Sequence, residues 1–105
     1  MKILFDQGTP APLRRYLPGH HCSTAHEVGW SNLSNGDLLR EAESGGFELL
    51  ITTDQNIRYQ QNLAGRRLGI LVLPTTSWPR IEQHVSEVVN AVADIKPAEY
   101  RELTF

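Results

Sequence analysis

The sequence lacks the features that mark a secreted or membrane-embedded protein. Cys22 is its only cysteine, so no internal disulfide can form, which fits a reducing compartment. No apolar run has the form of a signal peptide or approaches the length of a transmembrane helix. These absences argue against a disulfide scaffold and a membrane protein, and we expect a cytoplasmic protein with no membrane partner.

Positive charge is also scarce for a protein that binds nucleic acid. The chain carries 12 acidic and 10 basic residues, a formal net charge of -2, so its overall charge does not indicate such a binder. Most of the basic residues are arginine, which suits phosphate through its forked guanidinium, and two adjacent pairs stand at residues 14–15 and 66–67. Solvated surface charge explains each pair more simply, yet a basic rim around an acidic centre would leave the same net charge.

Short apolar runs predict the strands. Residues 2–5, 47–53 and 69–73 are almost continuously apolar, which is typical of strands covered on both faces of a sheet. A mixed, β-branched segment at residues 22–28 predicts a further strand. Residues 99–105 fit either a tail or an edge strand.

Capping residues and helical spacing predict four helices between and after these strands. Thr9 is the expected N-cap of the first helix, which runs to about residue 17. Ser34 and Asp37 stand at capping-box spacing and predict the second helix. A third helix is expected after Asp54, across residues 57–63, and ends near residue 65. The last, at residues 79–96, carries apolar residues at helical spacing throughout.

The alternation of strands and helices predicts the fold class. A chain of 105 residues has room for one core and one domain, which we place at residues 1–105. Crossovers between parallel strands are right-handed and lay helices on both faces of the sheet. We therefore predict an α/β fold, a three-layer α/β/α sandwich with a mainly parallel sheet of four or five strands.

Three aspartates stand where elements of this fold end or begin. Asp6 and Asp54 each follow a predicted strand, and Asp37 opens a predicted helix. Ligand chemistry in open α/β sheets collects outside the carboxyl ends of the strands. Carboxylates gathered there repel one another unless a cation or a proton joins them, so the placement predicts a metal site. Local capping and turn formation remain the alternative for each aspartate taken alone.

Three short segments carry a resemblance to a known family. They are Leu-Phe-Asp at residues 4–6, Gly-Asp-Leu-Leu at 36–39 and Leu-Ile-Thr-Thr-Asp at 50–54. Their order and spacing resemble the PIN-like nuclease superfamily, in particular its short bacterial branch of stand-alone PIN-like proteins, and the resemblance extends from residue 2 to about residue 73. It implies a parallel α/β/α sandwich that cuts single-stranded RNA with Mg²⁺ or Mn²⁺.

The resemblance also implies roles for individual residues and partners. It assigns metal binding and catalysis to Asp6, Asp37 and Asp54, with Glu41 as a helper one helical turn beyond Asp37. It places Thr53, Asn56 and Arg58 beside the metal ligands and the substrate. Many PIN proteins are the toxin of a toxin–antitoxin pair and form dimers, so an antitoxin protein and a second copy of the chain are the implied protein partners.

Two other classes of function stay open. Asn56 stands where related chains usually carry a second acid, and residues 74–77 (Pro-Thr-Thr-Ser) contain no acid where many PIN domains place one, which favours a PIN-like module that binds without cutting. A phospho-accepting receiver domain would use Asp54, with Thr75 or Thr76 after the next strand. Receivers also need paired acids after the first strand and a lysine after the fifth, and the sequence has neither.

Two further groups of residues are weaker candidates for a functional site, one for zinc binding and one for stacking on nucleobases. One stretch contains residues typical of zinc ligands: His20, His21, Cys22 and His26. Their spacing matches no closed zinc module. Trp30 and Trp78 fall in predicted loops, where packing is a commoner role than stacking on a nucleobase.

Overall fold

The computed structural model describes residues 1–60, 63 and 65–105, and these contain five strands and five helical segments. The strands are β1 (Lys2–Phe5), β2 (His21–Thr24), β3 (Leu49–Thr52), β4 (Gly69–Val72) and β5 (Tyr100–Glu102). The helical segments are a 3-10 helix (Ala11–Tyr16), α1 (Asn35–Ser44), α2 (Ile57–Gln60), α3 (Trp78–Gln83) and α4 (Val85–Asp94). No helix within the described ranges is long and apolar enough to cross a membrane.

The strands form one all-parallel sheet in the order β2-β1-β3-β4-β5. The first strand of the chain therefore lies inside the sheet, between β2 and β3. The chain moves outward from β1 to β2, and then returns across β1 to reach β3. The connection after β1 leads to one side of the sheet, and the connection after β3 leads to the other side. The strand order therefore reverses between the neighbours β1 and β3.

Helices cover both faces of the sheet, and strand side chains alternate between them. Phe5 and Ile51 pack on one face against the 3-10 helix, α3 and α4. Leu4 and Leu50 pack on the other face against α1 and α2. All four side chains are fully buried, as the two-residue period of a strand requires when both faces are covered. The predicted three-layer α/β/α sandwich is confirmed.

The first helical segment differs from its prediction. It is a 3-10 helix with Pro10 at the N-cap position, and no side chain forms a capping hydrogen bond there. Thr9 is buried and its hydroxyl donates to the carbonyl oxygen of Ile51 at 2.8 Å, so the prediction of Thr9 as a helix cap is wrong. The competing acceptor belongs to β3, where the Asp6 N–H also donates to it at 2.9 Å. Thr9 therefore ties the segment after β1 to the neighbouring strand.

The second strand is shorter than predicted because a turn replaces its second half. The hydroxyl of Thr24 accepts from the N–H of Glu27 at 3.1 Å, and the carboxylate of Glu27 accepts from the N–H of Thr24 at 2.8 Å. This reciprocal pair has the Thr-x-x-Glu spacing of a capping box, a signal present in the sequence and overlooked in the prediction of a strand at residues 22–28. Arg14 holds the same carboxylate with both terminal nitrogens, at 2.5 and 3.1 Å.

Acid is expected to weaken this contact between the 3-10 helix and the turn. The hydrogen bonds from Arg14 and from the Thr24 N–H lower the pKa of Glu27 from 4.5 to about 2. A lowered pKa means that the folded state favours the carboxylate, so its stabilising contribution is complete above pH 4.5 and is lost as the pH falls toward 2. The urea midpoint of Glu27→Gln should lie below that of the parent at neutral pH and approach it in acid. Glu41→Gln, at an exposed acid, should show no such convergence.

The C-terminal elements also refine the predictions. The helix expected at residues 79–96 is two helices, α3 and α4, which meet at His84. His84 contacts Glu87 at 3.1 Å, and the ring of Phe105 stacks on it with centroids 4.5 Å apart. Residues 99–105 contain β5, which resolves the choice between tail and edge strand. The helix predicted across residues 57–63 is present as α2, and residues 61, 62 and 64 near its predicted end lie outside the described residues.

Candidate active site at the carboxyl edge of the sheet

Two of the three predicted aspartates follow the two central strands. Asp6 comes directly after β1, and Asp54 comes two residues after the end of β3. Because β1 and β3 are parallel neighbours, their carboxyl ends meet at the same edge. In doubly wound sheets with this strand order, the binding crevice opens between these two strands. Asp6 and Asp54 therefore flank the expected position of a ligand.

A single buried hydroxyl group joins the two aspartates. Thr52, the last residue of β3, is fully buried, and its hydroxyl donates to Oδ2 of Asp6 at 2.7 Å. The hydroxyl oxygen of Thr52 also accepts from the N–H of Asp54 at 3.1 Å. A hydroxyl has one proton to donate and lone pairs to accept, so both contacts can exist together. Thr52 therefore fixes the Asp6 carboxylate relative to the backbone of Asp54.

Local capping accounts for one carboxylate oxygen of each aspartate. Oδ1 of Asp6 accepts from the N–H of Gln7 at 2.7 Å, and Oδ1 of Asp54 accepts from the N–H of Asn56 at 2.9 Å. The second oxygen of each is bound by a residue distant in the sequence. For Asp6 this residue is Thr52, 46 positions away. The local alternative thus explains part of each placement and leaves the long-range contacts unexplained.

Asn35 contributes a contact that the sequence did not predict. It is the first residue of α1, and its side-chain Nδ2 donates to Oδ2 of Asp54 at 2.6 Å. The contact joins the start of a helix on one face of the sheet to the end of β3. No periodicity or motif marks Asn35, because its role depends on a residue 19 positions later in the chain.

Asp37 and Glu41 lie further along α1. The N–H of Asp37 donates to Ser34 Oγ at 3.3 Å, which confirms Ser34 as the N-cap. The Asp37 carboxylate, 47% exposed, forms an ion pair with Arg40 one turn away, and Glu41 is exposed. Within the described residues, no three His, Cys, Asp or Glu side chains are grouped so that they could hold a metal ion. The roles of Asp37 and Glu41 as ligand and helper stay predictions.

Thr53, Asn56 and Arg58, which were predicted to lie beside the metal ligands, occupy different positions along the carboxyl edge of the sheet. A Cβ atom on Gly8 would stand 2.3 Å from Thr53 Oγ1, so the segment after β1 runs close to the residue that follows β3, and a larger residue at position 8 would displace the Thr53 hydroxyl. Asn56 is exposed at the surface and contributes its N–H to Asp54. Arg58 pairs with Glu102 at the end of β5, at 3.6 Å, which places it toward the far side of the sheet.

An open cleft adjoins Asp6. Its volume is about 490 Å³, within the range of small-molecule sites. The lining residues come from the segments after β1, β2 and β4 and include Asp6, Gln7, Thr24, His26, Thr76 and Trp78. The cleft therefore combines one carboxylate of the pair with polar side chains and an aromatic ring.

The pair of carboxylates fits a hard divalent cation. Asp6 and Asp54 offer four oxygens that each accept one of the hydrogen bonds described above, so each keeps a further lone-pair direction. Mg²⁺ is commonly held by one or two carboxylates together with waters and substrate phosphate, and Mn²⁺ favours the same oxygen ligands. The donor set matches such an ion and does not match the nitrogen and sulfur ligands of a structural zinc site.

The residues of the zinc alternative are separated by the fold. His21 begins β2 and His26 follows its end, so they lie toward opposite edges of the sheet. His20 Nδ1 accepts from the Met1 amino group at 3.0 Å, and burial together with that positive charge lowers the pKa of His20. Desolvation raises the pKa of the Cys22 thiol, which disfavours the thiolate that binds metal. This geometry argues against a zinc site in the stretch.

A comparison of the chain with protein-family models, with curated proteins and with solved structures found no match.

Proposed function

We propose that the protein is a Mg²⁺- or Mn²⁺-dependent endoribonuclease that hydrolyses phosphodiester bonds in single-stranded RNA. The observation that carries this proposal is the Asp6–Thr52–Asp54 arrangement at the crevice between β1 and β3. It joins the two acids that the PIN-like resemblance assigns to metal binding. A purely local role for each acid would not require a buried hydroxyl that links them.

The chemistry asked of these residues is the placement of charge and substrate. A bound divalent ion supplies a water of lowered pKa and offsets the negative charge that develops on the phosphate. Asp6 and Asp54 would hold that ion through their carboxylate oxygens. Thr52 fixes the Asp6 carboxylate relative to the backbone of Asp54, and the cleft beside Asp6 receives the RNA strand. Hydrolysis adds water across one P–O bond and requires no redox partner.

The biological setting proposed here follows from the same resemblance. A cytoplasmic ribonuclease of this kind would act as the toxin of a toxin–antitoxin pair, be restrained by an antitoxin protein and form a homodimer. A small gene beside this one, whose product binds the protein and blocks its activity, would support that setting. RNA cleavage itself does not depend on it.

A second candidate is a PIN-like module that binds RNA or protein without cutting. It is favoured by Asn56, which presents an exposed amide where an acid would add charge, and by the ion pair that engages Asp37 with Arg40. Two carboxylates give weaker attraction for a cation than three or four. Where such a module binds RNA, the two candidates differ only in hydrolysis.

A receiver-type signalling domain shares the strand order of this sheet. Asp54 would then be the phosphorylated residue. The residues that follow β5 are Leu103, Thr104 and Phe105, so the lysine that receivers place there is absent from this part of the chain. Labelling of Asp54 by an acid phosphodonor would support the receiver and oppose the nuclease.

The deciding experiment measures metal binding and RNA cleavage together. Mn²⁺ or Mg²⁺ should raise the melting temperature of the protein, since an ion that binds only the folded state stabilises it. The same metal concentrations should support cleavage of an end-labelled single-stranded RNA, and a chelator should stop it. A metal-induced rise without cleavage would indicate the binding module, and the absence of both would refute the metal site.

A further inference from the structure

One aromatic side chain stands out as exposed at the surface. Among the described residues, the large hydrophobic side chains classed as exposed are Tyr59, at 72%, and Tyr16, at 38%. The tryptophans predicted to lie in loops are packed instead: Trp30 contacts the ring of Phe47, and Trp78 contacts the ring of Tyr16, each with centroids 5.9 Å apart. Tyr59 therefore has the most accessible ring surface in this part of the chain.

The ring of Tyr59 is held in place by its neighbour. The guanidinium of Arg58 lies over the ring, 4.6 Å from its centroid, and also donates to the Tyr59 hydroxyl. Glu102 pairs with the other side of this guanidinium at 3.6 Å. One face of the ring is therefore covered by Arg58, and the high exposure of the side chain leaves the opposite face to solvent. A flat, anchored surface of this kind costs little entropy when a second ring stacks on it.

Tyr59 lies at the same edge of the sheet as the acids. Glu102 is the last residue of β5 and stands beside Val72, the last residue of β4. Its contact with Arg58 therefore places the Arg58–Tyr59 pair at the carboxyl edge. The helix that carries the pair, α2, begins three residues after Asp54. Asp6 lines the cleft described above, and Asp54, after β3, lies between β1 and the Arg58–Tyr59 pair beside β5 in the strand order.

We propose that Tyr59 is the stacking platform for an unpaired nucleobase of a single-stranded RNA that crosses this edge past Asp6 and Asp54. The choice of RNA as the occupant rests on the proposed function. The charge of Arg58 is balanced in part by Glu102, so the pair acts through stacking and cation–π support of the ring more than through attraction for phosphate. Aromatic residues that stack on bases accept any base, because every base has a π face.

The test compares RNA binding by three variants in an Asp54→Asn background, which prevents cleavage under the proposal. Fluorescence anisotropy with a labelled single-stranded oligonucleotide in Mg²⁺ buffer gives the dissociation constant. Tyr59→Ala should weaken binding on the order of tenfold, as expected for the loss of one stacked base. Tyr59→Phe keeps the ring and should bind within about threefold of the background protein. Gln83→Ala, at an exposed uncharged residue at the end of α3 outside the lining of the cleft, is the control and should leave the affinity unchanged.

The salt dependence of this loss distinguishes stacking from a phosphate contact. Stacking releases no counterions, so the ratio of the dissociation constants of Tyr59→Ala and the background protein should be the same at low and moderate salt. A ratio that shrinks as salt rises would assign the effect to charge and overturn the platform. A 2-aminopurine base in the RNA should also be quenched on binding in the background protein and regain fluorescence in Tyr59→Ala.

The outcomes separate this inference from the proposed function. Loss of affinity in Tyr59→Ala, with no cleavage by the parent protein in any metal, supports the platform and refutes the nuclease. Cleavage by the parent, with unchanged RNA affinity in Tyr59→Ala, supports the nuclease, overturns the platform and assigns the exposed ring to a protein partner. If the background protein binds no single-stranded RNA, both are overturned. A melting temperature of Tyr59→Ala equal to that of the background protein shows that the fold is intact.

Discussion

Asp54→Asn is expected to abolish both RNA cleavage and the metal-induced rise in melting temperature. The substitution removes one of the two carboxylate charges of the proposed metal site, and an amide adds no charge in return. Loss of a metal ligand at a hydrolytic site typically removes activity by more than about a hundredfold, because the attacking water and the phosphate both depend on the ion. End-labelled single-stranded RNA with Mn²⁺ measures the activity, and thermal melting with and without Mn²⁺ measures binding.

The metal-free stability of Asp54→Asn should stay within about 1 kcal/mol of the parent. Asparagine keeps the shape of aspartate, and its oxygen can still accept from the N–H of Asn56. Its NH₂ group would meet Nδ2 of Asn35, and a turned-over Asn35 amide restores the hydrogen bond. Relief of repulsion from Asp6 acts in the stabilising direction.

Asp94→Asn is the matched control for the loss of one carboxylate. Asp94 is 76% exposed at the end of α4 and pairs with Arg101 at 3.1 Å, away from the carboxyl edge. This variant should cleave RNA and respond to Mn²⁺ as the parent does. Cleavage by Asp54→Asn at the rate of Asp94→Asn would contradict the proposed site and would point to a contaminating nuclease.

Thr52→Val should lower both stability and metal binding. Valine has the shape of threonine without its hydroxyl, so the substitution leaves no large cavity. It removes a hydrogen bond to the charged Asp6 carboxylate and leaves the Asp54 N–H without its acceptor. Hydrogen bonds to charged groups contribute about 1.5–3 kcal/mol, and we expect a loss of about 2–3 kcal/mol in the free energy of unfolding. Urea titration measures this loss, and the melting shift with Mn²⁺ measures the effect on the site.

Two further variants identify the hydroxyl as the cause. Thr52→Ser retains the hydroxyl and should keep most of the metal response, although it loses a buried methyl group. Thr104→Val makes the same chemical change at an exposed residue beyond β5 and should be neutral. If Thr52→Val responds to Mn²⁺ as Thr52→Ser does, then the hydroxyl does not position the acids.

The central strands were predictable because strands that are buried on both faces have nearly continuous apolar sequences. Leu50 and Leu71 belong to short, continuously apolar runs, whereas a helix on the surface would show apolar residues on one face only. Both residues are fully buried in the sheet. The break between α3 and α4 was not predictable in the same way. Ile81, Val85 and Val88 keep helical spacing across His84, so the apolar pattern continues through a residue at which the helix stops.

The candidate site was predictable to the extent that it follows from topology. An acid directly after a strand lies at the carboxyl edge whatever its side chain contacts, which is why Asp6 and Asp54 could be named from sequence. Contacts across long sequence separations could not be found, because no local pattern records them. The bridge from Thr52, the amide of Asn35 and the exposure of Tyr59 belong to this second group.

The Asp6–Thr52 contact links the integrity of the site to the pairing of β1 with β3. The two residues are 46 positions apart, one directly after β1 and the other at the end of β3, and these strands are neighbours in the interior of the sheet. Fraying of β2 or β5 at the outer edges leaves this contact in place, whereas separation of β1 from β3 removes the core on both faces. Loss of the metal response should therefore coincide with cooperative unfolding, with no earlier loss in a protein that still looks folded.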